Sequence, residues 1–143
     1  MYGLPHNQLQ LLQRAQNTAA RIVTRSKKIH HITPVLQQLH WLPVSYRIDF
    51  KIIVTTYKVL NGLAPHYLSS LIKPYSSTRS LRSSTKHLLI IPKWKLSTFG
   101  RRSFSVAAPE LWNKLPHYIR FAPNVSTFKR RLKSHLFSRA FSV

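Results

Sequence analysis

Residues 43–60 read PVSYRIDFKIIVTTYKVL, and the fold class turns on whether this run is a helix or a strand. Its β-branched residues suit a strand. Its length does not, because strands seldom exceed about ten residues. Tyr46, Phe50, Ile53, Tyr57 and Leu60 recur at steps of four, three, four and three, which is one face of an α-helix. Ile48, Ile52 and Val59 form a second stripe, so the helix is expected to be buried on more than one side. Pro43 suits its first position and Asn61-Gly62 supplies a C-cap. Trp41 and Leu42 precede it as a hydrophobic entry clamp would. Asp49, between Arg47 and Lys51, neutralises local positive charge.

Working back toward the N-terminus, residues 5–25 read as a helix that starts at Pro5. Leu9, Leu12, Ala15, Ala19, Ile22 and Val23 make its expected inner face, and Gln8, Gln10, Gln13 and Gln16 its polar face. A short helix follows, with Thr33 as N-cap, Pro34 in the first position and Val35, Leu36 and Leu39 facing in.

Working forward, Pro65 opens a short helix with Tyr67, Leu68, Leu71 and Ile72 inside, and Pro74 stops it. Residues 76–87, SSTRSLRSSTKH, have loop composition. Residues 88–91, LLII, are a buried-strand candidate, with 93–96 returning beyond a turn as a hairpin that ends near Gly100. Residues 98–116 join this basic loop to the C-terminal helices and look architectural. Phe104, Ala107, Ala108, Leu111, Trp112 and Leu115 fit one helical face, Pro109 restarts the helix, Glu110 falls in its first turn and Pro116 ends it. Asn124 or Ser126 caps the last helix, whose inner face is Val125, Phe128, Leu132 and Leu136. The reading is a mainly α protein: a small helical domain of five to seven helices with at most one short β-hairpin. It is one basic domain, with helical parts at 5–74 and 101–141 and a basic loop at 75–100.

Charge is the compositional outlier. The 143 residues hold 23 Lys and Arg against 2 Asp and Glu, a net +21. Eight cations precede Gly62, eight lie between Lys73 and Arg102, and seven follow, so the whole domain is basic rather than one tail. Such a field favours polyanions: nucleic acid first, anionic membrane surface second. No cysteine is present, which excludes disulfides and thiolate zinc sites. No apolar run approaches a membrane span. Residues 1–28 lack acids and are amphipathic, as a transit peptide would be, but the rest of the chain is almost as poor in acids.

Two isolated acids exclude most carboxylate chemistry. Two-metal phosphoryl transfer needs clustered Asp or Glu, and glycosidase-type catalysis needs a pair. With glycine only at 3, 62 and 100, there is no phosphate-cradling loop. The eight histidines show no ligand spacing, and no Gly-x-Ser-x-Gly elbow occurs. No catalytic, metal or cofactor site is expected. The basic segments carry the better case. Arg79, Arg82 and Lys86 punctuate the hydroxyl-rich loop, Lys93 and Lys95 flank Trp94, and Arg101 and Arg102 follow Gly100. These cations could hold RNA or DNA phosphates while Trp94 stacks on a base. Trp94 could equally be a packed core residue. Residues 129–133, KRRLK, have nuclear-import composition, but they also fit the outer face of an amphipathic helix.

The order of short motifs resembles a known family. LQRAQNTAAR at 12–21 is followed by HITPVL at 31–36, LHWLPV at 39–44 and YKVLNGLAP at 57–65. LRS at 81–83, Phe99-Gly100, FSVAAP at 104–109 and LWNKLP at 111–116 come next, and Phe128-Lys129, Leu132-Lys133 and Leu136-Phe137 close the series. Together they are similar to the C-terminal region of the reverse-transcriptase polyprotein of LINE-type, jockey-like non-LTR retrotransposons, over residues 9–141. The resemblance implies a region beyond the polymerase palm that helps to hold template or target. The family's Tyr/Phe-x-Asp-Asp polymerase signature and its endonuclease carboxylates are missing here, so no catalytic residue carries over.

Overall fold

A computed structural model describes residues 2–76, 87–94, 100 and 102–141. Among these residues are seven helices: α1 His6–Thr24, α2 Ile32–Gln38, α3 Val44–Leu60, α4 His66–Ser69, α5 Phe104–Asn113, α6 His117–Arg120 and α7 Val125–Phe141. The protein is all-α in class, as the periodicity of 43–60 requires. Two compact units are present: Met1–Phe50 with Lys133–Val143, and Lys51–Leu132.

In the first unit, Ala20, Val35 and Leu36 form the buried centre, with Ile32, Leu39, Trp41 and Phe141 packed against it. Helix α2 begins after His31 rather than after Thr33, so Thr33 and Pro34 fall inside its first turn. It ends in a Schellman turn: His40 takes φ 51°, its N–H bonds the Gln37 carbonyl, and the Trp41 N–H bonds the Leu36 carbonyl at 2.9 Å. That turn delivers Trp41 beside Leu36. The same device ends α1 at Arg25 and α3 at Gly62, with Ser26 N–H on the Arg21 carbonyl and Leu63 N–H on the Lys58 carbonyl.

Helix α1 turns the opposite face inward from the one expected. Gln16 and Ala20 are buried, while Leu11, Leu12, Ile22 and Val23 are exposed, Ile22 by 72%. Pro5 sits at the N-cap, its carbonyl accepting from Gln8 and Leu9. The physical reason lies in the turn before α3. There the Leu42 carbonyl accepts from Gln16 Nε2 at 2.8 Å, and the Val44 N–H, the first of α3, donates to Gln13 Oε1 at 2.9 Å. Gln16 supplies the donor and Gln13 the acceptor, and Gln13 Nε2 donates in turn to Gln16 Oε1 and Asn17 Oδ1. Gln16→Leu therefore should destabilise the chain by about 1–3 kcal/mol, because the Leu42 carbonyl is left without its donor. Denaturant unfolding reads this directly, and a Leu variant as stable as the wild type would contradict the assignment.

His135, in the α7 part of this unit, has its pKa lowered below the ordinary histidine value by burial, and further by the Arg139 charge one turn on. The unfolded chain therefore takes up this proton at a higher pH than the native one. The stability so gained is complete above about pH 6.5 and is lost as pH falls toward the folded-state value. His135→Gln should flatten the loss of melting temperature on acidification through this window. An identical acid limb in wild type and variant would contradict it.

In the second unit, the last half of α3 is buried on several sides through Ile53, Val54, Thr56, Tyr57 and Val59. Tyr57 stacks on Phe128 with centroids 4.1 Å apart, and Phe128 stacks on Trp112 at 5.9 Å. The Tyr57 hydroxyl donates to the Ala122 carbonyl at 2.8 Å. Asn124 caps α7, its Oδ1 accepting from Thr127 N–H at 2.8 Å, and Phe128 and Leu132 are buried as read, as is Leu136 in the part of α7 that belongs to the first unit. Helix α4 buries less than expected: Tyr67 and Leu71 are exposed, and the chain turns inward only at Ile72.

Two local expectations are corrected. Helix α5 runs unbroken from Phe104 with Pro109 inside it, so Glu110 is not in a first turn. Ser103 sets the start, its carbonyl accepting from Val106 and Ala107, and the proline forfeits only the bond to Ser105. The second correction concerns the hairpin. Residues 88–90 pair with 73–75, in an isolated antiparallel bridge between Pro74 and Leu89, and Ile90 and Ile91 are exposed; the return expected at 93–96 lies partly outside the described residues. Tyr75 N–H donates to the Leu88 carbonyl and Ile90 N–H to the Lys73 carbonyl, both at 2.9 Å. The bonds fall on the flanking residues, so Pro74 needs no N–H. The other backbone edge of Leu89 is closed by one side chain: Asn113 Oδ1 accepts from Leu89 N–H and Asn113 Nδ2 donates to its carbonyl, each at 2.9 Å.

Candidate nucleic-acid interface

Of the residues nominated for phosphate contact, Lys93, Trp94 and Arg102 are described. Arg79, Arg82, Lys86, Lys95 and Arg101 lie outside the described residues. Lys93 and Trp94 are consecutive in irregular chain, and both side chains are exposed, Trp94 by 40%. Trp94 is therefore not a core residue; Trp112, at 2% exposure, is. Arg102 is exposed in the turn that opens α5, apart in sequence from Lys93. The turn is closed by Ser103, whose Oγ donates to the Gly100 carbonyl at 2.8 Å.

The chain leading to Trp94 is firmly anchored upstream. The Trp112 indole Nε1–H donates to the His87 carbonyl at 2.9 Å, and Asn113 and the Pro74 bridge hold Leu89. From Ile90 onward the chain is exposed, and Lys93 and Trp94 stand on the surface. An ammonium beside an exposed indole can hold a phosphate while the ring covers a base face.

Other exposed cations of this unit come from positions read as ordinary helix surface or loop: Lys73, Lys114, Lys129 and Arg130. Within 129–133, Leu132 is fully buried, and Arg131 donates to the Tyr118 carbonyl at 2.7 Å. That run is the outer face of α7, with one arginine in a structural role. Arg21 is similar, its guanidinium donating to the His30 carbonyl at 3.1 Å.

Sequence reasoning passed over Arg120. It is the last residue of the four-residue helix α6, in a context, HYIR, with no motif. Its Nε and Nη1 are buried without a hydrogen-bond partner, and burial lowers its pKa from the ordinary arginine value. Among the described residues no group of three or more His, Cys, Asp or Glu could hold a metal ion, and no helix is long and apolar enough to cross a membrane. No family model, no curated protein and no solved structure matches the chain.

Proposed function

We propose that this chain is a basic, non-catalytic C-terminal region of a LINE-type retrotransposon reverse transcriptase, and that it binds RNA or DNA through the phosphate backbone. The observation that carries the proposal is the 23-to-2 excess of cations over acids, spread through the chain. Exposed Lys93, Trp94 and Arg102 support it, and the order of motifs from LQRAQNTAAR to LWNKLP supports the origin. Phosphate contacts carry no sequence information, so two duplexes of unrelated sequence should bind with the same affinity. A strong preference for one of them would refute the backbone mode.

A second reading is favoured by one specific observation. Leu11, Leu12, Ile22 and Val23 expose apolar surface along α1, where a free-standing helix would carry polar residues. On this reading the chain is a structural remnant whose α1 was built to pack on a missing polymerase domain. It predicts strong binding of a hydrophobic dye by the isolated chain and weak near-UV dichroism. Sharp near-UV signals with no dye binding would count against it.

A further inference from the structure

The half-buried Arg120 side chain has unmet donors. Its Nε and Nη1 lack a hydrogen-bond partner, and together they carry three of the five guanidinium N–H bonds. Arginine stays charged at neutral pH, and its two buried nitrogens are donors open to an anionic partner. Arg120 lines a cavity of about 400 Å³ in the Lys51–Leu132 unit, to which neither Asp49 nor Glu110 contributes a wall. Its other walls include Asn61, Tyr75, His87, Trp112 and Phe121. The volume lies in the ordinary range for small-ligand sites.

The remaining walls are Tyr57 and the aliphatic Leu60, Pro74, Leu88, Leu89 and Ala122, and several polar atoms around the cavity are committed elsewhere. Trp112 Nε1–H is spent on the His87 carbonyl and Asn61 Nδ2 on the Tyr57 carbonyl. That leaves the Arg120 donors, the Asn61 Oδ1 acceptor, the His87 imidazole and the Tyr75 hydroxyl for a ligand. Phe121 is held by two imidazoles: His117 stacks on it at 4.0 Å and His87 meets it edge-on at 4.4 Å. Phe121 and Tyr75 are both exposed; His117 covers one face of the Phe121 ring, and Tyr75 offers the open ring face.

We propose that this cavity is a nucleotide site, with Arg120 taking the phosphate and the Tyr75 ring taking the base. A free mononucleotide and the phosphorylated end of a strand share this chemistry. The site does not depend on the surface cations proposed above.

Calorimetric titration of the full chain tests it, at about 0.5 M salt so that exposed phosphate contacts are screened. AMP should bind one per chain, and adenosine about tenfold more weakly or worse, because it lacks the group that Arg120 holds. Arg120→Gln should lose about tenfold in AMP affinity yet keep its melting temperature and its low-salt binding to duplex DNA. If that variant fails to fold, the wild type still decides: its Arg120 Nε–H resonance must shift as AMP is added. A 5′-phosphorylated oligonucleotide that outbinds AMP would identify a strand end as the source, and equal affinity a free nucleotide. AMP and adenosine binding alike, AMP binding unaffected by Arg120→Gln, an unmoved Arg120 resonance or no binding of AMP would each overturn the site. None of those four results would touch duplex binding at low salt.

Discussion

Trp112→Ala should lower stability by about 3–5 kcal/mol, the range for emptying a large aromatic site in a packed core. Trp112 is 2% exposed, stacks on Phe128 and lies on α5 among Val106, Ala107 and Ala108, which are also buried. Its removal does three things at once. It opens a void beside Phe128, which Ala107 and Ala108 are too small to fill. It takes away the donor of the His87 carbonyl. It also loosens the approach to Leu89, two residues on, which Asn113 of the same helix holds. A loss of melting temperature of roughly 10–20 °C is the corresponding readout. Trp112→Phe should fall between, since it keeps a ring against Phe128 but not the N–H. Trp94→Ala is the control: an exposed tryptophan should change stability by no more than about 0.5 kcal/mol. A Trp112→Ala variant that melts with the wild type would remove the aromatic stack from the account of this unit.

Periodicity made the long helices legible because their partners are apolar and surround them. In α3, Ile53 and Tyr57 of the expected stripe and Val59 of the second are buried, with Phe128 stacked on Tyr57, whereas Leu60 at the end of the stripe is exposed. In α7 the same rule places Phe128, Leu132 and Leu136 inside, and the Asn124 cap is a purely local signal. Helix α1 shows where the rule stops. A hydrophobic pattern tells which face could be buried, not whether a partner exists to bury it. Here the partner is the Leu42–Val44 backbone, which needs a donor and an acceptor, so Gln13 and Gln16 displace the leucines from the inner face.

The misplaced hairpin has a related cause. LLII at 88–91 reads as a strand whichever segment it pairs with, and proximity in sequence favoured 93–96. The observed partner, 73–75, is selected by Pro74 at a position that needs no N–H and by the Asn113 amide across the other edge of Leu89. Neither is a pattern in sequence. The candidate interface divides in the same way. Clustered cations and an isolated tryptophan could be read from composition, and Trp94 is exposed as a stacking residue must be. Arg120 could not be read, because a single arginine after three residues of short helix looks like surface until the chain folds over it.

The central claim is backbone binding to nucleic acid, and the salt dependence of affinity measures it most directly. Each phosphate neutralised on duplex DNA releases counterions and adds about 0.9 to the slope of log K against log salt. The seven cations nominated from sequence, Arg79, Arg82, Lys86, Lys93, Lys95, Arg101 and Arg102, would together give a slope of about −6. Between 50 and 200 mM salt that amounts to a loss of about three to four decades in affinity. Lys93→Ala or Arg102→Ala should each reduce the slope by about one unit, alike on unrelated sequences. Fluorescence anisotropy of a labelled duplex across that salt range supplies the test. A steep, sequence-independent fall is the predicted result; a flat response, or no binding at the lowest salt, would contradict the account.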